Sequence, residues 1–250
     1  MRVICNKGRE GGTEMTATAI PVQEAVNIFY ARQYAYDILR RFFVEEPSKE
    51  YLKLFVQKNM IDLFPFQVES SGIQEGVMDI KEYLLNHDVV NIERHFDELH
   101  WDFTRMFVGP FKLLAPPWES SYVRKDGLLF QGTTINVRHY YEKYGFIVSD
   151  FNIEADDHIG LELDFVYHLN ELCLQMAESG DEENMKKLKQ LLRDQDQFMQ
   201  EHLLKFAGPF SQSVTEEANS KFYTGLAKVL QHYLLIDLEV LKELKHIEIV

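Results

Sequence analysis

Residues 154 to 158 read Glu-Ala-Asp-Asp-His, which sets three carboxyl groups and one imidazole side by side. Two kinds of chemistry use such a set. At the start of a helix, carboxylates suit the positive end of the helix dipole, and Asp156 or Asp157 can cap free N–H groups there. Alternatively, Asp157 and His158, adjacent and so on different faces of a helix, offer an acceptor and a titratable donor to a pocket. Glu162, four residues after His158, shares its face and could orient the imidazole.

Other reactive combinations are weaker. Carboxylate bundles hold metals through Glu-x-x-His pairs, and that spacing occurs at Asp97/His100 and Glu243/His246. With nine histidines and 40 acids in 250 residues, chance alone supplies about that many, so no metal site is indicated. Nucleophilic catalysis finds neither a GxSxG elbow nor a base beside Ser120-Ser121. The phosphate loops GxxxxGK[ST] and GxGxxG are absent. Arg40-Arg41 sits in an amphipathic stretch followed by Glu45-Glu46-Pro47, where an export signal would continue with apolar residues. No cofactor is expected from these residues.

Helical elements surround the acidic cluster. Apolar periodicity predicts helices over 22–44, 49–60 capped by Ser48, 73–86 and 90–107, the last directing Ile92, Phe96, Leu99, Phe103, Met106 and Phe107 inward and stopped by Gly109-Pro110. Thr133 or Thr134 is expected to cap 135–144, closed by Gly145. Further helices are expected over 155–179, over 181–206 ended by Gly208-Pro209, and over 216–246. Strand-like alternation occurs only near Gly127 to Phe130. The expected fold is an all-α bundle of about nine helices.

Between the fourth helix and Tyr122 the chain reads VGPFKLLAPPWESSY, which Pro110, Pro116 and Pro117 forbid from being helical. Aromatic residues crowd this region, and most, including Trp101, are expected in the core. Trp118 is the expected exception, because a Pro-stiffened loop presents it at low entropic cost as one wall of a groove. Residues 109 to 132 could hinge two bundles, or cross one 16–250 domain as an ordered loop.

The net charge of −14 argues against nucleic acid and favours a basic partner. Cys5 and Cys173 share no paired spacing, which suggests a reducing compartment. The most apolar stretch, Val229 to Leu241, is broken by Gln231, His232, Asp237 and Glu239, so no membrane span is expected. Residues 1–15 carry Arg2, Lys7 and Arg9 without an apolar h-region and read as a disordered tail rather than a secretory signal.

Taken in order, WDFTRMFVGPFKLLAPPWESSY (101–122), LLFQGTT (128–134), VRHYYEKYG (137–145), EADDH (154–158) and NSKFYTGLAKVL (219–230) resemble the TorD/DmsD family of redox-enzyme maturation chaperones. The resemblance implies an all-helical cytoplasmic protein, monomer or domain-swapped dimer, that binds the twin-arginine signal peptide and apoenzyme of a molybdopterin oxidoreductase and delays its export until cofactor loading. It also implies peptide-binding roles. Asp157 and His158 match the family's Asp-His pair with Glu154 as leading acid, Phe107 and Gly109 match its LFxGP segment, and Pro117, Trp118 and Ser120 match PPWxS, followed here by Tyr122. Ala155 stands where the family often has Pro, and Met106 where it has Leu. Recruitment of cofactor-insertion machinery and guanine-nucleotide binding are further properties associated with relatives. The alternative is a metal- or nucleotide-dependent enzyme on a helical bundle, and a plain scaffolding subunit is a third.

Overall fold

The structure, a computed structural model, describes residues 19–109, 112–123, 132–148 and 155–249. The predicted tail, Cys5, Pro110, Phe111, the alternation at 127–130 and Glu154 lie outside them. Ten α-helices run through the described residues: α1 (Val22–Val44), α2 (Lys49–Gln57), α3 (Ser71–Asn86), α4 (Glu93–Phe103), α5 (Ser120–Val123), α6 (Gly132–Lys143), α7 (Ile159–Ser179), α8 (Glu182–Glu201), α9 (Leu203–Glu217) and α10 (Lys221–His246). The all-α expectation holds. Among the described residues strand structure appears where no alternation signalled it: β1 (Ala19–Ile20) pairs in parallel with β2 (Glu248–Ile249), a contact too short and too distant in sequence to leave a pattern.

Side-chain caps set four of the helix starts in the same way. Ser48, Ser70, Asp181 and Ser220 each accept a backbone N–H from three residues on. Gly180 ends α7 in the left-handed conformation, as its position predicts.

Several expected boundaries move. The fourth helix ends at Phe103 and continues as one π-helical turn over Thr104–Val108, in which Gly109 N–H reaches back to Thr104 O at 2.7 Å. Ile92 lies before that helix and is exposed. The expected 181–206 helix breaks at His202, and Pro209, expected to end it, lies inside α9. Pro209 removes the N–H that Lys205 O would have accepted and its ring crowds that carbonyl, and burial of Phe206, Ala207, Phe210 and Val214 on the same helix offsets that loss.

The buried apolar side chains form one connected cluster. Its frame is α10, about 39 Å long at 1.5 Å per residue, with α3, α9 and α8 packed on it and α1 laid against α7. The α3–α10 crossing is close because Gly76 and Gly225 meet there. A Cβ on either would lie 2.5 Å from the other's carbonyl oxygen, so only glycine fits without moving a helix.

At the centre sits a fully buried Arg32. Its Nε and Nη2 donate to both oxygens of Asp237 at 2.6 and 3.0 Å, Nη1 donates to Asn170 at 2.7 Å, and Nη2 to Gln195 at 2.9 Å. Tyr36 donates to the same carboxylate at 2.7 Å. One cation therefore ties α1, α7, α8 and α10. Removing a single partner of such a buried pair strands a charge and costs about 3–5 kcal/mol.

Candidate functional site

The Pro-rich segment and the acidic cluster meet. Pro117 to Ser120 runs antiparallel to residues 155–159, with Glu119 N–H donating to Asp157 O at 2.9 Å and Ile159 N–H to Pro117 O at 2.7 Å. Prolines 116 and 117 supply no N–H of their own, so the segment is held through the Pro117 carbonyl, the Glu119 and Ser120 N–H groups and side chains from elsewhere.

Asp157 is the main tie. Its Oδ2 accepts the Ser120 N–H at 2.9 Å, which opens α5, and its Oδ1 accepts the Thr134 hydroxyl at 2.9 Å from α6. The aspartates therefore do not cap their own helix. That helix starts at Ile159 rather than Ala155, and its N-cap is His158, whose Nδ1 accepts the Gly160 N–H at 3.0 Å. Asp156 turns the other way and pairs with Arg138 at 2.6 Å, while its carbonyl accepts from Tyr141 at 2.8 Å. Thr134, Arg138 and Tyr141 follow the i, i+4, i+7 stripe of α6, so one helix face receives the whole Asp-Asp turn.

Burial shapes the electrostatics. The His158 imidazole is pushed down to about 4 by burial, only partly opposed by Asp157. With Nδ1 accepting, the proton of the neutral ring sits on Nε2. Glu162 is fully buried, and burial first, then Glu119 and Asp157, raises its carboxyl well above the usual range. Among the described residues neither oxygen of Glu162 finds a hydrogen-bond partner, so it does not orient His158, contrary to the expectation from spacing. Glu119 instead pairs with His202 Nδ1 at 2.8 Å, both side chains buried, which fastens the strap to the α8–α9 break.

The remaining expected residues divide between interior and rim. Pro117 and Ser120 are buried, and so is Phe107, which packs edge-on to Phe43, Phe103 and Tyr223. Gly109 closes the π-helical turn. Trp118 and Tyr122 are half-buried, with the Trp118 ring 6.3 Å from His158 at 76° and Tyr122 against Phe206 and Phe210. Leu114 and Val123 are exposed on the same strap. Trp101, expected in the core, is 66% exposed.

Sequence reading missed Glu119, Thr134, Arg138 and His202 as parts of this site. Thr134 was assigned to capping, and the Glu119–His202 pair spans 83 residues, a separation at which no spacing rule operates. Among the described residues no three His, Cys, Asp or Glu side chains cluster to hold a metal ion, and none of their helices is long and apolar enough to cross a membrane.

A family model described as the nitrate reductase delta subunit matches residues 66–212. The chaperone protein TorD of Aliivibrio salmonicida is 29% identical over 205 residues, 81% of this chain and 91% of that protein. TorD of Aliivibrio fischeri is 32% identical over 145 residues, covering 58% of this chain and 64% of that protein. The probable Tat proofreading chaperone DmsD of Haemophilus influenzae is 28% identical over 139 residues, covering 54% and 59%.

Proposed function

Since this chain belongs to the nitrate reductase delta subunit family, with TorD and DmsD chaperones among its relatives, we propose that it is a chaperone rather than an enzyme, specific for one redox enzyme. It binds the twin-arginine signal peptide and apo form of a molybdopterin oxidoreductase in the cytoplasm and delays export until the cofactor is in place.

The observation that carries this reading is the Asp157 tie between Ser120 and Thr134. A leader of this class offers guanidinium groups followed by an apolar run, which calls for acidic groups beside a rigid apolar edge. Leu114, Trp118, Tyr122 and Val123 form such an edge, and Asp157 with the His158 turn holds it in place. Both oxygens of Asp157 are engaged, so its part in binding is to position the strap, while Glu154 and the overall charge of −14 attract the cationic peptide.

Titration calorimetry with a twin-arginine leader peptide tests the reading. Saturable binding, weakened by Trp118→Ala and by salt, is expected. Absence of binding to the folded wild-type protein would overturn it.

A further inference from the structure

A concave site lies on another part of the surface, between α4, the end of α3 and the start of α10. It is a cavity of about 430 Å³ that includes Asp97, Glu98 and Trp101 in its wall. Tyr83 and His87 stack there, centroids 4.1 Å apart and planes within 10°.

Trp101 stands out because the other faces of α4 are accounted for. Leu99, Asp102 and Phe103 are buried, whereas the Trp101 indole is two-thirds exposed at the cavity wall. An indole of that size left in water is more typical of a binding surface than of a folding requirement.

Charge decides what fits beside it. Two arginines and three carboxylates line the cavity. Arg94 is engaged by Glu98 at 2.8 Å, and Arg105 by Asp102 at 3.1 Å and by Glu217 O. Asp102 also accepts the Asn219 and Ser220 N–H groups at 2.9 to 3.1 Å and so is engaged in holding the turn that leads into α10. Asp97 has no ion pair or hydrogen bond among the described residues. It lies four residues before Trp101, one turn away on the same face of α4.

An indole face and an unspent carboxylate one helical turn apart match a guanidinium group, which is planar, stacks on indole and donates two parallel N–H bonds to a carboxylate. An ammonium offers neither the plane nor the fork. We propose that the Asp97–Trp101 pocket binds an arginine side chain of the client peptide, separately from the Trp118 strap. The idea rests on the chaperone reading only for the source of that arginine. The pocket and the strap are mechanically joined, because α4 runs into the π-helical turn whose Met106 carbonyl accepts Ala115 N–H at 3.2 Å.

The chain holds two tryptophans, Trp101 and Trp118, so in the Trp118→Phe protein indole fluorescence reports the pocket alone. Titration with N-acetyl-arginine amide is expected to give a saturable change, roughly 5- to 10-fold weaker after Asp97→Asn and weaker for the lysine amide. No saturable change, equal response to N-acetyl-glutamate amide, or an unaltered Asp97→Asn titration overturns the proposal. Leader-peptide calorimetry on Trp101→Ala separates the two ideas. If the wild type binds the leader and Trp101→Ala binds it equally, the pocket is not used and the chaperone reading stands. If the wild type binds no leader while the arginine amide still titrates, the chaperone reading falls and the pocket stands.

Discussion

The Asp157 carboxylate accepts the backbone N–H of Ser120 at 2.9 Å, across 37 residues of chain, and with its other oxygen accepts the Thr134 hydroxyl at 2.9 Å. Two motifs that look separate in sequence are therefore one object, a stiff strap fastened to a turn.

This geometry predicts an ordering of substitutions. Asp157→Ala leaves the buried Ser120 N–H and Thr134 hydroxyl without their acceptor, a loss of about 2–4 kcal/mol. Asp157→Asn can keep Oδ1 on the Ser120 N–H and let Thr134 accept from the new amide, so about 1 kcal/mol is expected. Denaturant titration of both variants checks this, and equal losses would contradict the tie.

His158 confers a pH dependence of definite sign. Its folded value, about 4, lies below the ordinary histidine value, so the unfolded chain takes up a proton that the folded chain refuses. Stability from this group is full above about pH 6.5 and falls toward pH 4 by up to about 1.4 kcal/mol per unit. The His158→Asn variant keeps an oxygen for the Gly160 N–H and does not titrate. The difference in unfolding free energy between wild type and variant should change over that window and be flat above it.

Glu162 works in the opposite direction. Its folded carboxyl holds a proton well above the usual range, so the unfolded chain ionises first as pH rises. Stability is lost from about pH 4.5 upward until the folded group also titrates. Glu162→Gln removes that loss, so the variant should gain on wild type as pH rises from 5 to 8. Equilibrium denaturation at the two pH values measures it, and a gain of the same size at both would show that Glu162 is not held neutral.

By itself the sequence determined where most helices lie and the ends set by Ser48, Asp181 and Gly180, because 3.6-residue apolar periodicity and capping chemistry act within a few residues. It also marked the strap, since prolines exclude a helix wherever the rest of the chain goes. Only the tertiary structure decided what those parts do to one another. Asp157 became the tie of the strap rather than a cap of its own helix, Glu162 has no hydrogen-bond partner among the described residues, and Glu119 found His202. Pro209 entered a helix because packing on α10 outweighs one lost hydrogen bond, and Trp101 stayed outside because α4 turned its Leu99 and Phe103 face inward. The physical reason is range. Propensity and capping are local, whereas the pairing and burial of a charged or aromatic side chain depend on segments that only the folded chain brings together.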